Sequence, residues 1–143
     1  MKKIFPEYPK TSGSYVSQRR INKCKPQVIE ILRTKQTQIL KAFKKLATRY
    51  SRKPRIELHI DEAIERVNNA RVIREADGLW GESDDTRIWI PANKTNDTVL
   101  MGTILHEALH YLCTFNGKDI CEKDEHYVME LLGEQYDDDG DFY

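Results

Sequence analysis

The sequence predicts an α+β fold with a small mixed sheet, a long N-terminal helix, a motif-bearing helix and a C-terminal helix. Three observations support this prediction. Apolar residues recur at helical spacing over residues 26–50. Short alternating or apolar runs within 55–60 and 78–91 are typical of strands. A second helical pattern, over residues 96–115, contains His106-Glu107-Ala108-Leu109-His110.

Length and composition suit one globular domain. A chain of 143 residues, 39% of them hydrophobic and 32% charged, can bury a core of its own. The apolar runs are far shorter than a membrane span, and no apolar stretch follows the basic start Met1-Lys2-Lys3. Three cysteines without paired spacing favour a reducing compartment. We therefore expect a soluble, cytoplasmic protein that does not contact a membrane.

Charge is distributed unevenly along the chain. Residues 1–55 contain 16 Lys and Arg against two acids, a net charge of +14, and the remainder carries −14 because the whole chain is neutral. This polarity predicts either weak nucleic-acid contact through the basic half or two halves whose charges neutralise each other across the molecule.

The first half of the chain predicts an arm, a helix and a strand. Residues 1–25 contain two prolines and show no sustained period, which predicts a basic, flexible arm. Pro26 suits the first turn of a helix that runs to about Tyr50. Arg55 to Ile60 alternates as a half-buried strand does and places His59 on its polar side. Asp61 is expected to cap a short helical segment that contains Ile64 and Val67, and residues 70–74 could continue this helix or form a strand.

The second half predicts a hairpin and a final helix. Residues 79–81 and 87–90 flank the turn-rich 82–85, and Pro91 ends the second strand. Asp119, with Glu122 three residues later, predicts the start of a helix that ends near Tyr136. The domain is thus expected to cover residues 26–136, followed by an acidic tail over 137–143.

The motif in the helix over 96–115 points to a metal site. Residues four apart lie on one face of a helix, so His106 and His110 can offer two imidazoles to one ion. Glu107, about 100° round the helix, lies beside that ion, where it can deprotonate a metal-bound water. Asn96 or Asp97 suits the N-cap, and an αL stop is predicted at 116–117. The H-E-x-x-H pattern is that of zinc metallopeptidases, and Zn²⁺ is the predicted cofactor.

The final helix offers two candidates for a third ligand. On a helical wheel Glu125 lies inside the apolar arc, and His126 lies about 100° away at its boundary. A buried carboxylate needs a partner, which zinc would supply, so Glu125 is the expected ligand. His126 is the alternative because histidine is a common zinc ligand. Pairing of Glu125 with Arg71 or Arg74 is the interpretation without a metal.

With this motif, the order of elements over 26–136 resembles the small zincin metallopeptidases. It resembles the minimal gluzincin type, whose third ligand is a Glu, and more weakly the SprT-like type, whose third ligand is a His. The sequence departs from SprT-like proteins because no His-Gly follows the motif. It departs from metzincins because Asn116 stands where their third histidine would fall.

The resemblance implies a zincin-like fold and an endopeptidase. A protein or peptide substrate would be hydrolysed through a metal-activated water with Glu107 as the general base. The substrate would lie along residues 87–90 as an edge strand. His126, Tyr127 or Tyr111 would supply a donor to the oxyanion. The alternative function is a nucleic-acid-associated binding protein whose zinc site is structural or residual.

Overall fold

The chain folds into five helices and eight short strands over the residues that the structure describes. This computed structural model describes residues 3–9, 13–50, 52–73, 82–83 and 86–134. The helices are α1 Gln18–Thr34, α2 Gln36–Ala47, α3 Ile60–Asn68, α4 Asp97–Leu109 and α5 Glu122–Leu131. The fold class is α+β, as predicted. Within the described ranges, none of these helices has the length and apolar character needed to cross a membrane.

The strands form three small sheets. They are β1 Ser14–Tyr15, β2 Ile56–Leu58, β3 Arg71–Ile73, β4 Glu82–Ser83, β5 Ile88–Pro91, β6 Lys94–Thr95, β7 Cys113–Phe115 and β8 Lys118–Asp119. Strands β2, β7 and β8 form an antiparallel sheet in that order. Strand β5 lies between β3, which is parallel to it, and β4, which is antiparallel. Strands β1 and β6 pair antiparallel.

Helix α4 is buried on all sides. Every residue from Val99 to Leu109 is buried except Met101, which is half-buried. The helix contacts α1, α3, α5 and the sheet that contains β5. A helix surrounded by other elements buries its whole circumference, not only one apolar side. The motif residues at its C-terminal end are consequently held by the core.

The ends of α4 confirm one prediction and correct another. Asn96 is the N-cap, and its side chain accepts a hydrogen bond of 2.9 Å from the N–H of Val99. The helix ends at Leu109, however, well before the predicted stop, because the chain turns and β7 then pairs with β2. Asn116 and Gly117 form the two-residue turn between β7 and β8, with φ of 54° and 77°. Asn-Gly is a strong hairpin signal, and its interpretation as a helix stop was wrong.

Helix α1 starts earlier than the sequence predicts. The side chain of Ser17 accepts a hydrogen bond from the N–H of Arg20 and so caps the helix. Pro26 lies inside the helix rather than at its start. The predicted boundary between residues 25 and 26 therefore falls within α1. Lys35 separates α1 from α2, so the predicted single helix is two.

Part of the predicted N-terminal arm packs on the domain. Ile4, Phe5 and Tyr8 are buried. The N–H groups of Ile4 and Phe5 both donate to the carbonyl of Leu132, at 2.8 and 3.3 Å. This segment thus contacts the turn that follows α5.

Strand β5 is an interior strand of its sheet, which corrects the prediction of an edge strand over 87–90. Trp89 pairs with Arg71 of β3 on one side and with Glu82 of β4 on the other. Because neighbouring strands occupy both sides, β5 does not offer an open edge to a peptide. Strand β4 occupies part of the predicted turn, and the predicted first hairpin strand, 79–81, lies outside the described residues.

Helix α5 differs from the prediction at both ends. Its N-cap is Cys121, whereas Asp119 lies in β8. Its last residue is Leu131, short of the predicted end near 136. The predicted acidic tail, 137–143, lies outside the described residues.

Candidate metal centre

Three histidine side chains converge at the C-terminal end of α4. His106 lies in the last turn of α4, His110 directly follows that helix, and His126 lies in α5. The Nε2 atom of His110 is 3.1 Å from Nε2 of His106 and 3.3 Å from Nε2 of His126. One ring nitrogen from each histidine lies within 4.8 Å of the other two. The three rings are close enough to bind one metal ion.

Two of the three distances between the ring nitrogens fit a tetrahedral ion. Nitrogens bound to zinc at about 2.0–2.1 Å lie about 3.3 Å apart when the angle between them is tetrahedral. The two observed distances, 3.1 and 3.3 Å, are close to this value. Imidazole suits zinc, copper, iron and nickel, so the distances indicate a metal site without selecting the metal.

Buried carboxylates bind the Nδ1 atoms of two of the rings, and Nε2 of each ring remains directed to the cluster. Nδ1 of His106 lies 2.7 and 2.9 Å from the two carboxylate oxygens of Glu134. Nδ1 of His110 lies 3.0 Å from Oε1 of Glu125. An ionised carboxylate only accepts hydrogen bonds, so each Nδ1 carries the proton and donates it. The lone pair of each Nε2 then faces the centre of the cluster, as metal ligation requires.

Burial keeps two of the histidines neutral. Burial, followed by the nearby His110, lowers the pKa of His106 to about 3. Burial, with His106 and His110, also lowers the pKa of His126. Burial acts in the same direction on His110, but its hydrogen bond to Glu125 and the charges of Glu107 and Glu125 raise its pKa overall. His106 and His126 are thus neutral near pH 7, as metal ligands must be.

Glu134 reaches the cluster through the turn that ends α5, and sequence analysis missed it. The N–H of Gly133 donates to Glu130 and that of Glu134 donates to Met129, with Gly133 at φ 101°. This is a Schellman motif, which takes the chain off the helix. On a helix continued to the predicted end, Glu134 would face solvent, whereas it is only 5% exposed. Gly133 was the available signal, because glycine marks helix ends.

His110 lies in a turn rather than in the helix. Its φ and ψ are −62° and 136°, Tyr111 follows at φ 61°, and the N–H of Leu112 donates to the carbonyl of Leu109 at 3.3 Å. These values match a type II β-turn. The N–H of His110 still donates to His106 at 3.3 Å, so the two residues stay one helical turn apart.

Glu107 is a buried carboxylate adjacent to the cluster. It follows His106 in α4 and is 5% exposed. Its negative charge helps to raise the pKa of His110, which shows that it lies within electrostatic reach of that ring.

Glu125 and His126, the two predicted candidates for the third ligand, both lie at the cluster but in different positions. Glu125 is 2% exposed, and so points inward as predicted. Its two oxygens bind the His110 turn: Oε1 contacts Nδ1 of His110, and Oε2 accepts from the N–H of Tyr111 at 2.8 Å. His126, the alternative, supplies the third ring nitrogen of the cluster.

The remaining predicted contacts lie elsewhere. The ring of Tyr127, a candidate oxyanion donor, has the guanidinium of Arg49 4.3 Å from its centre. Arg71, a predicted partner of Glu125, donates to the carbonyl of Ala70 at 3.4 Å. Arg74, the other predicted partner, lies outside the described residues.

Comparisons of this chain with protein-family models, with curated proteins and with solved structures gave no match. We therefore infer function from the side chains at the site.

Proposed function

We propose that this chain is a zinc-dependent metallopeptidase of the zincin type. His106, His110 and His126 would hold the metal, and Glu107 would be the general base. The observation that carries the proposal is the convergence of three Nε2 atoms, two pairs of which are 3.1 and 3.3 Å apart. The H-E-x-x-H pattern supplies two of these ligands and the adjacent carboxylate. Histidine as the third ligand favours the SprT-like over the gluzincin type.

The side chains suit the hydrolysis of an amide. Zinc held by the three rings would polarise a carbonyl and lower the pKa of a water molecule. Glu107 would accept a proton from the attacking water and return it to the leaving amine. Glu134 and Glu125 would keep the rings of His106 and His110 oriented throughout.

The number of ligands favours a catalytic over a structural site. Structural zinc sites are closed by four protein ligands, whereas catalytic sites have three and an open position. In the described part of the chain, the cluster consists of three histidines. Glu122 approaches Nε2 of His126 to 3.9 Å, but its side chain is 78% exposed, as expected of a group in solvent.

Glu107→Gln tests the proposal. We expect the parent and the variant to bind one zinc per chain, and only the parent to cleave a peptide library or an unfolded protein. The matched control is Glu130→Gln, which removes an exposed carboxylate of α5 and should leave both properties unchanged. Cleavage retained by Glu107→Gln would refute its role as the base, and loss of zinc would show that Glu107 is a ligand.

A second candidate function, association with nucleic acid, is favoured by the surface of α2. This helix contains three lysines and no acidic residue, and the lysines are exposed opposite its buried apolar side. They are Lys41, Lys44 and Lys45. A one-sided cationic surface of this kind attracts polyanions.

A further inference from the structure

His110 is held in place by parts of the chain other than its own helix. The last helical residue is Leu109, and the extended ψ of His110 takes the chain out of the α4 geometry. Tyr111 then adopts a left-handed φ, which is uncommon for a residue other than glycine and is stable only where surrounding contacts enforce it. Helical spacing alone does not fix the position of the His110 ring.

A buried arginine from α3 binds the backbone of this turn. Arg66 is 1% exposed, and its Nη2 atom donates to the carbonyls of Ala108 and His110 at 2.9 and 2.7 Å. A helix C-terminus presents carbonyls without helical partners and a partial negative charge, both of which a guanidinium satisfies. Because one nitrogen bridges both carbonyls, it fixes the distance between residues 108 and 110.

Glu125, from α5, binds the same turn. Its carboxylate spans the ring of His110 and the N–H of Tyr111. The carbonyl of His110 is thus bound from α3, and its ring and the next amide are bound from α5. The contact of Nδ1 with Oε1 of Glu125 limits rotation of the ring, and with the backbone also held, Nε2 faces His106 and His126.

We propose that Arg66 is a positioning residue of the metal centre, which bridges the carbonyls of Ala108 and His110 and so aims the His110 ring into the cluster. Arg66 would act through the backbone of His110 and is not one of the three proposed metal ligands. The inference rests on the metal site of the proposed function but not on its peptidase activity.

The test compares Arg66→Met with a control on the same helix. Removal of a group that orients a ligand typically weakens metal binding by about 10- to 100-fold. We expect a loss of this size for zinc, measured by chelator competition, together with a changed visible spectrum of the Co²⁺-loaded protein. Val67 is fully buried next to Arg66. Val67→Ala removes core contacts without removing a bond to the turn, so it should lower the unfolding midpoint while zinc affinity and the Co²⁺ spectrum stay near those of the parent.

A double-mutant cycle separates positioning from general destabilisation. If Arg66 acts through His110, Arg66→Met should not weaken zinc binding further in a His110→Ala background. An equal loss in both backgrounds would overturn the proposal. The proposal would also be overturned if the zinc affinity of Arg66→Met equalled that of Val67→Ala.

Arg66→Lys keeps the test decisive if the methionine variant does not fold. Lysine keeps the buried charge but lacks the planar fork that fits the two carbonyls. Its zinc affinity should fall below that of Val67→Ala, and equality with that control would overturn the proposal. A parent chain that binds no zinc would refute both the metal site and this inference. A parent that binds zinc without hydrolysis would refute only the peptidase.

Discussion

The two histidines of the motif reach the same cluster by different means. His106 belongs to a buried helix whose own hydrogen bonds fix its backbone, and its Nδ1 atom contacts the carboxylate of Glu134. His110 stands outside that helix and depends on Glu125 and Arg66 for its ring, its carbonyl and the next amide. The comparison teaches that one short pattern can contain two kinds of ligand placement: the backbone of His106 is fixed locally by its helix, whereas the backbone of His110 is fixed by distant residues. Changes at distant residues should therefore affect His110 more than His106.

The largest expected effect follows removal of a ligand. His126→Ala should lose zinc most strongly because it deletes one of three ligand nitrogens. Glu125→Gln should come next, with a loss of about 10- to 100-fold, because it places an amide N–H against Nδ1–H of His110 or breaks the bond to Tyr111. Glu134→Gln should lose least, since its amide oxygen can still accept from His106.

Chelator competition on the three variants measures this order, with Glu130→Gln as the exposed control on the same helix. If Glu125→Gln loses more zinc than His126→Ala, Glu125 is the ligand and the assignment of these two residues must be exchanged. If Glu134→Gln loses as much as Glu125→Gln, the contrast between the two histidines fails.

An intermediate effect concerns pH in the metal-free protein. The pKa of His106 falls from 6.5 to about 3 on folding, so the unfolded chain binds the proton more readily. The contribution of His106 to the free energy of unfolding should decrease as pH falls from 6.5 towards 3, by at most about 1.4 kcal/mol per pH unit. His110 has the opposite sign: its raised pKa adds stability below 6.5, which is lost as pH rises through the raised value.

Urea unfolding at pH 7 and pH 5 tests the contribution of His106. The parent should lose more stability on acidification than His106→Gln, because the variant lacks the buried group that resists protonation. Val67→Ala, which weakens the core without removing a titratable group, should show the same loss on acidification as the parent. Equal losses in the parent and in His106→Gln would show that burial of His106 does not control the acid response.

The smallest effect is expected for changes on the surface of α2, which contains none of the histidines of the cluster. If Lys41, Lys44 and Lys45 contact phosphates, replacing all three by Gln should weaken binding and reduce the slope of log K against log salt by about one per lysine. Zinc affinity should not change. The control variant replaces three exposed lysines of the other half by Gln: Lys94, Lys118 and Lys123.

Mobility shifts at two salt concentrations decide between these expectations. The absence of binding at low salt would remove the second candidate function. Equal weakening in the two triple variants would indicate general charge attraction instead of a face on α2.

Sequence predicted features that depend on neighbouring residues. Asn96 caps α4 because an N-cap bonds within its own turn, and Glu125 points inward because the apolar arc of α5 is local. The α+β class followed from the same periodicities. One local prediction that failed was the Asn116-Gly117 turn, where a hairpin signal was present but was interpreted as a helix stop.

Other features depend on contacts between distant parts of the chain. The end of α4 at Leu109 requires hydrogen bonds from Arg66 and the pairing of β7 with β2, which helical periodicity does not contain. The central position of β5 requires β3, whose stretch of sequence was ambiguous. The burial of Glu134 depends on how the chain leaves α5 and on the N-terminal segment that packs there.

The coordination sphere of the loaded protein tests the central claim most directly. X-ray absorption at the zinc edge, combined with a crystal structure of the zinc-loaded chain, would identify each ligand. We predict three imidazole nitrogens at about 2.0–2.1 Å, from His106, His110 and His126, and one oxygen from solvent. A carboxylate oxygen of Glu125 in place of His126, or a fourth protein ligand that closes the site, would contradict the account.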